Sequence, residues 1–520
     1  MRWTRAALLA SSLTVLLTTA CGAGPSQRPG VAVEQPHGGS GPATSTSAAP
    51  AAPSQAQVPK TDLAWHDCAA PTFTSLGTGA PPAGVSFDCA ELSAPIDSGG
   101  TVLGTFRIAA VRARTPQTPA DAAPLVVTSG GDRSSTATVA GLVSGPGAAI
   151  LASRPVVGVD RRGIGSSQPI DCLPDDTRQG LADNGQFAPG GDRVDAVASL
   201  SQNATVACQD FLQPYQGTFD TPHAADDIEQ LRKQWQVDHI DLLGTGNGAR
   251  VALSYAAKFG DRLARLVLDS PEPANTDAVT RTEQQVKGAE AALTGFARRC
   301  ADLGCSLGAD PRAAITDLIN RAGAGQLGTL SASALTTTIT AFLGDPRADQ
   351  AAHITELADA LSAAGRGDQG ALQALVTREA AAVGADGQFV SRCSDDQQPA
   401  TPDRAKQLEI DWAAKYPAFG KTAATGLMVC SAWPVAQAPR LPDKFTLPVL
   451  VLGTTADPVV GGDGRSSVTG ALGAAGARTS TVQWQGWGHP VFTHSGCAQQ
   501  NIVGYLKDGT LPADGTACPA

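Results

Sequence analysis

The chain has no excess of positive charge: 38 Lys and Arg against 48 Asp and Glu leave a net charge of −10. That sign repels a phosphate backbone, so nucleic acid is not an expected partner. There is no P-loop and no Cys/His spacing of a zinc site, so neither a cofactor nor a metal is expected. After the first 21 residues no stretch is long and apolar enough to span a membrane. Internal repeats are absent too, which excludes a solenoid.

What is present is the composition of a folded protein, with 42% hydrophobic and 17% charged residues. A length of 520 residues allows one large domain carrying an insertion. The N-terminus reads as an export signal: Arg2 and Arg5, then an apolar run from Ala6 to Leu17 too short to span. Thr18-Thr19-Ala20-Cys21 resembles a bacterial lipobox. Residues 1–21 are therefore expected to be a lipoprotein signal ending at a lipidated Cys21, against the alternative of an ordinary cleaved signal. The mature chain would sit on the outer face of the cytoplasmic membrane, held by lipid only. Residues 22–60, rich in Gly, Pro, Ala, Ser and Thr, read as a flexible tether.

Setting Cys21 aside leaves ten of eleven cysteines, an even number in an oxidising compartment. Proximity suggests the pairs Cys68 with Cys89, Cys172 with Cys208, Cys300 with Cys305, Cys393 with Cys430, and Cys497 with Cys518.

Along the globular part, Phe87–Pro95, Val102–Arg112, Leu125–Ser129, Val156–Asp160 and Leu263–Asp269 read as strands, and Thr221–Trp235 as a helix. Ile240 to Leu243 is a buried strand running into Gly244-Thr245-Gly246-Asn247-Gly248 and then a helix to Phe259. Strand, Gly-x-nucleophile-x-Gly turn and helix make the nucleophile elbow of α/β-hydrolases. Its flanking glycines are here, but the central position, which should carry the attacking side chain, is Gly246. The fold class expected is α/β: a mostly parallel sheet with helices on both faces. Residues 61–274 and 441–520 would form the sheet domain. Residues 275–440, dominated by Ala-rich segments such as Thr282–Cys300, Pro311–Arg321, Arg347–Ala364 and Gln369–Val383, would be an inserted helical cap. The Gly163-x-Gly165 pair after Asp160 reads as a structural turn, since no helix and acidic residue follow at dinucleotide spacing.

Two later strand ends carry the remaining hydrolase groups. Asp457 follows the strand ending at Leu452, and His489 follows the one ending at Trp484. The order elbow, Asp, His is that of the hydrolase triad, in which His takes the nucleophile's proton and Asp fixes its tautomer. Gly130, Gly131 and Asn247 are the expected oxyanion-loop positions, with Asp132 an unwelcome negative charge unless Arg133 compensates. Ser129 and Ser134 are nearby hydroxyls that nothing in the sequence places against His489.

Several stretches resemble one family: Trp65-x-x-Cys68, Cys89-Ala90-Glu91-Leu92, Asp160-x-Arg162-Gly163-x-Gly165, Asp227-Ile228-Glu229-x-Leu231-Arg232, Cys393-Ser394-Asp395, Cys430-x-x-Trp433-Pro434 and Gly486-Trp487-Gly488-His489. The chain is similar, from Leu63 onward, to secreted α/β-hydrolases with a tripeptidyl-aminopeptidase-like C-terminal region. The resemblance implies a serine peptidase acting on free N-termini or on related amides and esters. This sequence departs from it at the elbow, usually Gly-x-Ser-Tyr-Gly, and in the oxyanion loop, which here reads Thr128-Ser129-Gly130-Gly131-Asp132-Arg133-Ser134. Losing the nucleophile typically removes ~10⁶ of the rate and leaves ~10³–10⁴ over water. Three readings follow: a non-catalytic relative that binds a peptide or small amide or ester; a hydrolase in which His489 and Asp457 activate water or a non-standard nucleophile; and a structural envelope lipoprotein.

Overall fold

The computed structural model describes residues 54–520 except 146–148, 348, 382–384, 396–397 and 436–437. The expected export signal, Cys21 and the tether through residue 53 lie outside the described residues. The end of the expected tether is held against the body. Arg265 Nη1 donates to the Ser54 carbonyl at 2.9 Å, the Asp238 amide to Gln57 Oε1 at 2.7 Å, and the Lys60 amide to the Trp235 carbonyl at 2.9 Å.

Ten strands form one sheet: β1 (His66–Asp67), β2 (Ser86–Pro95), β3 (Thr105–Arg114), β4 (Leu125–Thr128), β5 (Val156–Val159), β6 (Ile240–Thr245), β7 (Leu263–Asp269), β8 (Val449–Gly453), β9 (Thr479–Trp484) and β10 (Thr516–Cys518). Their order is β1-β2-β3-β5-β4-β6-β7-β8-β9-β10. The first three strands and the β3–β5 pair are antiparallel, and every pair from β5 to β10 is parallel. β4, β5, β6, β7 and β8 are buried along their whole length, because helices cover both faces. That is why they read as unbroken apolar runs. β9 alternates, with Ser480, Val482 and Trp484 turned inward.

Between β7 and β8 come the cap helices, among them Ala278–Asp302, Pro311–Gly323, Ala332–Leu343, Ala351–Gly365 and Pro402–Lys415. They enclose their own core around Leu293, Phe296, Ile315, Leu335, Ile339 and Leu357. The expected helix from Arg347 begins at Ala351, and the one expected to Val383 is described as Gly370–Ala381. Two helices without a clear sequence signal, Asp175–Ala182 and Arg193–Leu212, also meet the cap: Val194 and Val197 pack on Ala405 and Met428, and Lys406 pairs with Asp192 and Asp195. The cap layer thus draws on the stretch before the elbow as well as on residues 275–440. All five expected disulfides form, and Cys172–Cys208 and Cys393–Cys430 staple this layer.

The turn after β5 is structural, as its sequence suggested. Arg162 is buried there, donating from Nε and Nη2 to both carboxylate oxygens of Asp227 at 2.9 and 2.6 Å and from Nη1 to the carbonyls of Ile96 and Thr218. Removing one partner of a buried pair leaves an uncompensated charge. Asp227→Ala is therefore expected to lower stability by about 3–5 kcal/mol, read as a lower urea midpoint with an unchanged slope.

Candidate active site

The site is built where β4, β6, β7 and β8 end. β6 stops at Thr245, and the helix Gly248–Phe259 starts three residues later. Gly246 lies at φ +55°, in the left-handed region, and a Cβ at Gly248 would stand 2.0 Å from the Thr128 carbonyl oxygen. The sharp turn that lifts a nucleophile above a sheet is thus intact, with no side chain at its tip.

His489 is in place below that tip. Its Nδ1 donates to Asp457 Oδ2 at 2.8 Å, and Asp457 Oδ1 accepts the amides of Val459 and Val460 at 2.9 Å each. This fixes the ring and leaves Nε2 facing the elbow, 3.1 Å from where a Cβ on Gly246 would sit. Asp269, at the end of β7, holds the loop that carries His489 by accepting the amides of Val491 and Phe492 at 3.1 and 2.7 Å. Burial pushes the Asp269 carboxyl up to about 6.

The expected oxyanion donors are already engaged. The Asn247 amide donates to Asp132 Oδ2 at 2.6 Å, and the Gly131 amide donates to Asn247 Oδ1 at 2.9 Å. The same Asp132 oxygen is 2.8 Å from the Cβ position of Gly246. A carboxylate from the oxyanion loop therefore fills the space that a serine side chain would take. Asn247 Oδ1 also accepts from Arg161 Nη1 at 3.0 Å, and Arg161 in turn pairs with the cap residue Asp395 at 2.7 Å.

Two segments match known family models: residues 148–302 match the alpha/beta hydrolase fold, and residues 416–518 match the TAP-like proteins. This chain is an α/β hydrolase with a TAP-like C-terminal region. It is 27% identical over 403 residues to the serine protease Hip1 of Mycobacterium tuberculosis, covering 70% of this chain and 74% of that one. It is 26% identical over 469 residues to carboxylesterase B of the same organism, covering 83% and 86%. Among solved structures, the esterase RhEst1 of a Rhodococcus species aligns at a TM-score of 0.38 with 15% identity, over 81% of this chain and 99% of that one.

The cap lies directly on the loops that carry Asp457 and His489. A Cβ on Gly288 of the helix Ala278–Asp302 would meet the Asp457 carbonyl, and Phe296 of that helix packs edge-on against Trp487. Ser391 of the helix Ala385–Ser394 abuts Gly131. Gly246 and His489 are consequently buried, while Asp132 and Arg133 are half-buried. A cavity of about 610 Å³ opens elsewhere, among Pro222, Lys258, Ser394 and Trp433, and His489 is not in its lining.

Two hydroxyls near the oxyanion loop are bonded to other groups. Ser129 Oγ bonds Thr138 Oγ1 at 2.7 Å, and Ser134 caps the helix Ser135–Ser144 through the Ala137 amide. Burial opposes it, but Arg347 above all, with His353 and Arg133 adding, holds the Asp345 carboxyl of the cap below the usual range. Sequence reasoning missed Glu272 and Arg161. Glu272 accepts from Asn247 Nδ2 at 3.3 Å and lies 3.6 Å from Arg250. Neither belongs to a short motif; both act only through contacts distant in the chain.

Burial, with Glu272 repulsion added, raises the Asp132 carboxyl to about 7. Burial opposes the charged form of His489, but Asp457, Asp132 and Asp269 outweigh it, so the imidazole pKa is raised. Between about pH 4 and 7 folded Asp132 keeps a proton that the unfolded chain has lost, so its contribution to stability falls as pH rises through that window. Asp132→Asn removes this dependence. The stability of the variant minus that of the native chain is expected to increase from pH 4.5 to pH 7.5 in urea unfolding, a range chosen to bracket about 7.

Proposed function

We propose that this hydrolase does not carry out serine-type acyl transfer and instead binds a peptide or a small amide or ester beneath its cap. The observation that carries the reading is the Asp132 carboxylate on the Asn247 amide at 2.6 Å. Acyl transfer needs a nucleophile at the elbow and a donor for the developing oxyanion. Gly246 removes the first, and Asp132 occupies the second with a group that, above about pH 7, has the same sign as the charge to be stabilised. The relatives named serine protease and carboxylesterase support the class of ligand, amide or ester.

Cellular placement belongs to the same proposal. The five disulfides fit a chain that folds in an oxidising compartment. With the lipobox-like Thr18-Thr19-Ala20-Cys21, they support an exported protein anchored through lipid at Cys21. Mass spectrometry of the membrane-associated chain is expected to find diacylglyceryl on Cys21, and a soluble mature chain beginning elsewhere would end the anchoring proposal.

Hydrolysis is tested on tripeptidyl-anilide and short-acyl nitrophenyl ester panels. The native chain is expected to be silent, and Gly246→Ser alone nearly so, because Asp132 still holds the Asn247 amide. Adding Asp132→Ala to Gly246→Ser frees that donor, and turnover is expected to rise by about 10²–10³ over the single variant. Native turnover that disappears in His489→Ala overturns the reading. Binding is measured separately by calorimetry with tripeptides and esters. Affinities no better than millimolar across the panel would reject the ligand.

A further inference from the structure

The cavity of about 610 Å³ beside Trp433 lies away from the elbow tip. We infer that it is a second ligand site, and that it takes a small apolar molecule carrying one amide and a free carboxylate. That is the chemistry of an N-acyl amino acid or of a peptide C-terminus. The inference concerns a different place from the binding reading and does not rest on it.

The far half of the elbow helix and the end of the cap build this cavity. Ser254 and Lys258 come from the helix Gly248–Phe259, and Ser394, Trp433 and Arg440 come from the cap segment. Ser254 stands eight residues past Gly246, about 10 Å further along the chain at the usual helical rise. Neither Gly246 nor His489 lines the cavity. Its volume lies within the range of sites that enclose a small organic ligand.

Unmet polar groups point to an occupant. Ser254 is 3% exposed, and its hydroxyl has no partner among the described residues, although a helix serine can bond the carbonyl four residues back. Trp433 is 8% exposed, and its indole N–H, which can only donate, has no acceptor among the described residues. In the same wall Ser394 Oγ and Gln216 Oε1 are unpaired as well. Buried polar groups in folded proteins are as a rule partnered. Four unpaired ones around one cavity mark the place of a molecule that supplies the partners.

The same groups set its chemistry. Trp433 Nε1 calls for an acceptor and the Ser254 hydroxyl can serve in either role, so one amide answers both with its C=O and N–H. The Trp433 ring and the rigid faces of Pro222, Pro434 and Pro439 suit an apolar body. Arg440 is exposed where the cavity meets solvent and has no ion pair or hydrogen bond among the described residues. A free guanidinium takes a carboxylate through two parallel bonds. A dianion such as a phosphate fits less well. Lys258 is already committed to Asp226 and to the Pro222 carbonyl at 3.3 Å, and the Asp220 carboxylate also lines the cavity.

The test is calorimetry of the full chain with N-acetylphenylalanine, expected to fill one site with a dissociation constant of about 0.1–1 mM. Its neutral carboxamide is expected to bind about 10-fold more weakly. Arg440→Glu, at an exposed position, is expected to weaken the acid about 10-fold and to leave the carboxamide unchanged. Trp433→Phe keeps the apolar wall, loses the donor and is expected to cost about 3–10-fold. Ser254→Leu fills the cavity and is expected to abolish binding. Its urea midpoint shows whether it folds, and Arg440→Glu carries the test if it does not. Alanyl-alanyl-phenylalanine is titrated beside the acid, and the tighter of the two assigns the source as a peptide end or a free acylated amino acid. No binding of either below about 10 mM overturns the inference. Equal affinity for acid and carboxamide overturns it too, as does an acid affinity that Arg440→Glu leaves unchanged. Ester affinity that survives Ser254→Leu reports on the binding reading beneath the cap alone.

Discussion

At the end of β6 the backbone must turn through the left-handed region at Gly246 so that the next helix can start within van der Waals reach of β4. A Cβ at Gly248 would overlap the Thr128 carbonyl, and one at Gly244 would stand 2.5 Å from the Gly248 carbonyl. The oxyanion loop after β4 packs on this turn through Gly131, and the loop after β7 does so through the Glu272 amide on the Gly246 carbonyl. His489 is set against the same turn from the far side of the sheet. With glycine at its tip this geometry leaves a shaped space, and that space is where the Asp132 carboxylate lies.

Filling it has an electrostatic cost. Four carboxylates meet in a buried region, and burial raises the pKa of Asp132 and of Asp269. The cost is offset locally by Arg250 near Glu272, by the Asn247 amide on Asp132 and by the raised basicity of His489. Arg161 adds a second link, joining the elbow through Asn247 to Asp395 of the cap. The acidic group and the basic one are therefore not independent. Each sets the protonation of the other, as in any site where two titratable groups share a small low-dielectric space.

The cap matters as much as the sheet. Its helices enclose a separate core, yet Gly288, Phe296 and Ser391 bring their backbone or side chains onto Asp457, Trp487 and Gly131. The disulfides Cys172–Cys208 and Cys393–Cys430 tether the segments that complete this layer. Access to His489 is thus governed by helix packing at the cap–sheet boundary.

Local chemistry was enough to reveal the sheet and the elbow turn, and Asp457 and His489, singled out by their order in the sequence, meet at 2.8 Å. Strands buried on both faces must be continuously apolar, the elbow demands glycines at fixed spacing, and Asp457 and His489 follow strands in the hydrolase order. Cysteine parity and proximity likewise sufficed for all five disulfides. Helices such as Arg193–Leu212 stayed hidden, because Ser201, Ala204 and Thr205 sit on their buried face while Val206 and Phe211 stand exposed, which blurs the apolar period. What only the tertiary structure decided is the meaning of Asp132. From the sequence it was a charge near the oxyanion loop; in three dimensions its oxygen stands on the Asn247 amide, in the place left open by Gly246 and facing His489. No spacing rule predicts that, since Asp132 and Asn247 lie 115 positions apart and meet only because β4 and β6 are neighbours in the sheet.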